Sequence, residues 1–88
     1  MTKEIIKKTF QIPFEKVLSG DKNFEIRIED DCKFEEGDKL ILKEIDDNKN
    51  FTGREIIKEI KFIFRTKNAP YWDKEKIDKY GFTVLGFD

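Results

Sequence analysis

Apolar and polar residues alternate along much of the chain, and the period changes most clearly near its beginning. Residues 4–10 (Glu-Ile-Ile-Lys-Lys-Thr-Phe) predict a first strand. Over 13–19 the spacing turns helical: Phe14, Val17 and Leu18 share one face, and Pro13 suits a first turn. Gly20 stands where a left-handed, helix-ending residue is expected. Residues 22–28 return to period two, with Phe24, Ile26 and Ile28 on one side and Glu25 and Arg27 on the other. This pattern predicts a strand that buries its apolar side and aims a pair of charges from the opposite side, as the wall of a site.

The acidic run over 29–36 ends in a Gly37-Asp38 turn. Residues 39–45 carry Leu40 and Leu42 on one face and Ile41 and Ile45 on the other, which predicts a central or curled strand. The turn Asp46-Asp47-Asn48-Lys49-Asn50 joins it to the next strand as a hairpin. Residues 53–65 mix helical and alternating features. β-Branched and aromatic residues dominate, so one long, bent strand is expected. A loop over 66–70, one or two helical turns over 73–79 with Asp73 as cap, and a last strand over 81–87 complete the chain. The predicted fold class is mostly β (α+β): about five strands, largely antiparallel, with one or two short helices. Closure into a small β-barrel would hide the sheet edges.

Composition narrows the options. Eighty-eight residues allow one domain with a small core, and nine Phe, two Tyr and one Trp enlarge what that core buries. The net charge of −1 argues against nucleic-acid binding by bulk electrostatics. Charge is uneven, however: residues 1–51 hold 10 basic and 13 acidic side chains, and residues 52–88 hold 8 and 6. The single cysteine precludes an internal disulfide, and the absence of histidine excludes Ser-His-Asp, Cys-His and His-metal chemistry. No membrane span or signal pattern is present, so a cytoplasmic protein without membrane, metal or cofactor is expected.

The series Phe14, Leu18-Ser19-Gly20-x-Lys22-x-Phe24-Glu25-x-Arg27, Phe34-x-x-Gly37-Asp38-x-Leu40-x-Leu42-x-Glu44 and Thr52-Gly53-Arg54 resembles the ASCH domain group of the PUA-like superfamily. The closing Gly81-Phe82-Thr83-Val84-Leu85-Gly86 resembles that of a small bacterial and phage branch labelled a domain of unknown function. The resemblance covers nearly the whole chain. It implies a PUA-like β-barrel with a helix at its mouth, a cleft beside that helix, and RNA as the partner. It places Lys22 and Arg27 facing the cleft. In related small ASCH proteins that hydrolyse acetylcytidine, a threonine three residues after the lysine takes part in catalysis. Glu25 occupies that position here, as is usual in the uncharacterised branch.

Each candidate has a plain alternative. Glu25 and Arg27 form either an ion pair at a barrel mouth or an oriented fork for a phosphate or base edge, and the resemblance favours the fork. Lys22 is a surface lysine, a phosphate contact, or, in a hydrolase acting with Glu25, a base. Ser19 is a ligand contact or a polar helix end. Arg54 joins the same positive cleft or bonds the acidic 29–36 loop. Tyr71 and Trp72 stack on unpaired bases or, as we favour, plug the end of the barrel. Cys32, among acids, is expected to be inert, and the acidic loop to form a solvated rim. Three functions follow: RNA or nucleotide-like ligand binding through Ser19, Lys22, Glu25, Arg27 and Arg54, an amidohydrolase for acetylated nucleosides with Lys22 and Glu25 catalytic, or a protein-interaction or phage accessory domain.

Overall fold

A computed structural model of the chain describes residues 2–29, 32–66, 75, 78, 79 and 81–88. In chain order these form β1 (Glu4–Phe10), α1 (Gln11–Ser19), β2 (Phe24–Arg27), β3 (Lys39–Ile45), β4 (Phe51–Glu59), β5 (Phe62–Arg65) and β6 (Thr83–Gly86). Among the described residues the strands make two three-stranded sheets, ordered β1-β3-β4 and β2-β6-β5. The expected mostly β architecture with a short helix is therefore observed.

The first sheet is built around β3, which buries Leu40, Leu42, Ile41 and Ile45 because strands flank it on both edges. β3 and β4 form the expected antiparallel hairpin, whereas β1 runs parallel to β3, with Ile5 opposite Leu40 and Thr9 opposite Glu44. The parallel pairing arises because α1 and β2 intervene and carry the chain away before it returns. In the second sheet β6 is the middle strand and pairs antiparallel with both neighbours.

The predicted strand over 53–65 is two strands serving different sheets. Its break falls at Ile60-Lys61. There the backbone leaves the first sheet: Ile60 exchanges bonds with Asp38 and Gly37 (2.9 and 2.7 Å), and Lys61 N–H turns to the Gly86 carbonyl (2.7 Å). Ile60 is fully buried at this bend and anchors it.

The core lies between the sheets. Ile5, Leu40 and Leu42 from one side meet Leu85 from the other, and Phe14 and Val17 of α1, Phe34 and Phe87 fill the ends. Cys32 packs against this cluster as a free thiol. Leu18, expected on the buried helix face, is exposed, since α1 is short and meets the core through Phe14 and Val17 alone.

β2 reverses the predicted orientation. Phe24, Ile26 and Ile28 face solvent, while Glu25 is 4% exposed and points between the sheets. Alternation defines two faces of a strand but not which one turns inward. Here the inward face is decided by polar partners waiting on β1. The expected loop at 67–70 lies outside the described residues. Within the expected turns at 73–79, only Glu75, Asp78 and Lys79 are described, and their backbone is helical. No described helix is long and apolar enough to cross a membrane.

Candidate functional site

α1 ends at Gly20, whose positive φ of 87° allows its N–H to reach the Val17 carbonyl (3.1 Å), while Lys22 N–H bonds the Lys16 carbonyl (3.0 Å). This tight exit delivers Lys22 to the start of β2. Lys22 Nζ contacts Glu25 Oε1, and Arg27 Nη2 donates to Glu25 Oε2 at 2.8 Å. Both carboxylate oxygens are thus engaged by cations. Arg27 Nη2 also reaches the Lys8 carbonyl (3.1 Å) and Thr9 Oγ1 (3.4 Å) on β1, which fixes β2 against the first sheet. Arg27 Nε is buried with no acceptor among the described residues. The Lys22 ammonium lies 5.3 Å from the centre of the half-exposed Phe24 ring.

A second charged group adjoins the first, because Thr9 stands opposite Glu44 in the β1–β3 register. Glu44 is almost fully buried. Opposite it β4 bulges: Lys43 pairs with Glu55 and Ile45 with Phe51, leaving Thr52, Gly53 and Arg54 facing one residue. Gly53, with φ of 96°, permits the bulge. Its effect is to bring both neighbours onto one carboxylate. Thr52 Oγ1 donates to Glu44 Oε1 (2.5 Å), and Arg54 donates through Nε to Oε1 (2.9 Å) and through Nη2 to Oε2 (2.6 Å). Arg54 also contacts Glu15 and stacks over Phe14 on α1, 5.0 Å from the ring centre. Arg54 and Thr52 hold the Glu44 carboxyl below the usual range, and Glu44 and Glu15 raise the Arg54 pKa.

The acidic loop is engaged as well. Glu29 accepts from Arg65 Nε (2.6 Å) and Nη2 (3.0 Å), from Thr83 Oγ1 (2.9 Å) and from Phe34 N–H (2.9 Å). Led by the Arg65 bond, these contacts lower its pKa to about 2, despite burial acting upward. The pair lines a cavity of about 130 Å³ with Ile28, Gly81, Phe82 and Thr83. Asp38, fully buried, accepts from the backbone N–H groups of Lys3 (3.1 Å) and Glu35 (2.9 Å) and pairs with the Lys3 ammonium at 3.1 Å. Burial pushes its carboxyl up, but those donors together hold it below its ordinary value. Among the described residues no three or more Cys, Asp or Glu side chains are grouped to hold a metal ion.

The family described as a domain of unknown function, DUF3850, matches residues 6–87. The chain belongs to this family. No curated protein matches the chain. The DUF3850 match runs from within β1 to beyond β6, so it includes every residue of the four charged groups except Lys3.

Within the DUF3850 domain the structure brings Lys22, Glu25 and Arg27 together, and places Arg54 on the neighbouring Glu44 rather than on the acidic loop. Ser19 stands apart. Its hydroxyl donates to the Lys16 carbonyl (3.1 Å) and accepts from Asp21 N–H (3.4 Å), so it serves the exposed helix end. Tyr71 and Trp72 lie outside the described residues. Sequence reasoning missed Thr9, Glu15, Glu29, Glu44, Thr52 and Arg65 as site members. Two signals were present: a glutamate on the Leu40 and Leu42 face of strand 39–45, which needs a buried partner, and a glycine inside a strand pattern, which marks a bulge.

Proposed function

We propose that the chain is an RNA-binding module of the ASCH, PUA-like kind, which meets its ligand beside the Gly20–Lys22 turn and β2. On this reading the two sheets are halves of a small barrel with α1 at its mouth, and the protein acts in the cytoplasm. The observation that carries the proposal is the convergence of Lys22 and Arg27 on the two oxygens of Glu25, next to an exposed Phe24 ring. A carboxylate that holds an ammonium and a guanidinium in fixed positions presents oriented donors rather than a diffuse positive field, which suits a chain of net charge −1. The ring offers a stacking platform for an unpaired base. Glu25 has both oxygens committed, so the arrangement favours holding a ligand over the amidohydrolase alternative, in which this carboxylate would take part in chemistry.

Fluorescence anisotropy against a panel of short single-stranded RNAs at low salt tests the proposal. Lys22→Ala and Arg27→Ala are each expected to weaken binding about tenfold, with Lys33→Ala neutral. Because few phosphates are met, log affinity should fall against log salt with a slope of about −1 to −2. Affinity unchanged in both site variants removes the proposal. Cytidine release from acetylcytidine by the pure protein would favour the hydrolase instead.

A further inference from the structure

Among the described residues, the paired positions on the outward face of the second sheet carry no charge. Across the strands the register places Phe24, Gly86 and Phe62 in one row and Ile26, Val84 and Phe64 in the next. Ile28 and Phe82 extend the same alternation beyond the strand ends, and Phe82 keeps the ladder going through bonds between its N–H and carbonyl and Thr66. Phe24, Ile26, Ile28, Phe62 and Phe82 are between 43% and 60% exposed. The first sheet's outer face differs. There the rows Glu4–Lys39–Glu59 and Lys8–Lys43–Glu55 alternate with apolar ones, which suits water.

We propose that this face is the interface of a two-fold homodimer. Three features select a second copy as the occupant. First, the five exposed side chains present roughly 500 Å², which doubled reaches the roughly 1,000 Å² of a specific interface. Second, the strand positions on this face are uncharged, so two copies can meet there without opposing like charges, and the Lys22 ammonium lies at its margin, over the Phe24 ring. Third, the face is self-complementary in shape. Gly86 has no side chain and stands between Phe24 and Phe62 in one row, which leaves a gap between the two rings, and Phe82 lies on the same strand on the other side of Val84. A two-fold axis running across the strands over Val84 exchanges these positions. It lays Phe82 of each copy over Gly86 of the other, a knob meeting a hole twice. The proposal shares the Phe24 ring with the RNA-binding reading but requires none of Lys22, Glu25 and Arg27, and the substitutions that test it leave Phe24 in place.

Sedimentation velocity and light scattering of the full chain from about 1 μM to about 500 μM decide the matter. The expected result is a species of twice the 10.5 kDa chain mass at the upper end, dissociating on dilution. Ile26→Glu and, separately, Phe82→Ser should each weaken self-association at least tenfold with the far-ultraviolet circular dichroism unchanged. Ile57→Glu, on the outer face of the first sheet, should leave it intact. Concentration-dependent amide protection over 24–28 and 82–86 in the unmodified protein provides a readout that needs no variant to fold. A monomer at every concentration overturns the proposal, as does a dimer disrupted by Ile57→Glu but not by the other two substitutions.

Discussion

Glu29 shows how much one carboxylate can hold in place. Its four accepted bonds tie β5, β6 and the chain at Phe34 together, and no apolar residue could substitute for it at that junction. A carboxyl whose folded pKa lies below its unfolded value contributes in full above about 4.5, and that contribution fades as pH falls toward about 2. The whole effect is at most roughly 3 kcal/mol. Urea unfolding of wild type and Glu29→Gln measures it. The stability advantage of the wild type is expected to shrink by about 2 kcal/mol between about pH 6 and about pH 3. An advantage independent of pH would show that Glu29 titrates as a free carboxyl.

Among the elements, β4 depends most on a single backbone conformation. With φ of 96°, Gly53 is in a region that costs a side chain about 1–2 kcal/mol, although a Cβ added there would meet nothing within 4 Å. Gly53→Ala is therefore expected to lower stability by about that amount, and Gly53→Asn by less, since asparagine tolerates the left-handed region. Thermal melts compare the two, and equal losses would contradict a backbone origin. The elements most legible in the sequence were those whose pattern is local. Phe14 and Val17 with Gly20 announced α1 and its end, and Leu40 to Ile45 announced a strand enclosed on both sides. The run at 53–65 revealed its bend but not that the two arms join different sheets, because the bonds of Ile60 and Lys61 go to residues far away in sequence. Of the candidate site, the Lys22–Glu25–Arg27 group was readable because its members are close neighbours. Pairs such as Arg54 with Glu44 and Arg65 with Glu29 are brought together only by the folded sheets. The inward turn of Glu25 was likewise beyond reach, since the Lys8 carbonyl and Thr9 that receive Arg27 belong to another strand.

At the scale of the whole molecule, the two sheets share their interior and are linked covalently at Ile60. Domains of this size are stabilised by only roughly 5–10 kcal/mol. Truncating a fully buried isoleucine costs about 2–4 kcal/mol, so Ile60→Ala is expected to remove a large fraction of the total. Because Ile60 belongs to the common core, amide exchange should speed up in both sheets together. Faster exchange confined to the β2-β6-β5 sheet would mean that the sheets unfold as separate units.

The place of β6 in the second sheet bears on the order in which the chain acquires structure. β2 and β5 each find their only described strand partner in β6, which follows both in the sequence. On a ribosome, Phe24 and Ile26 would emerge early and wait with unpaired backbone until residues 83–86 had been made. The β3–β4 hairpin, whose partners are neighbours in sequence, is free to form long before. Nascent chains thus carry an apolar, incomplete edge until residues 83–86 are made, and β6 is the strand that closes it.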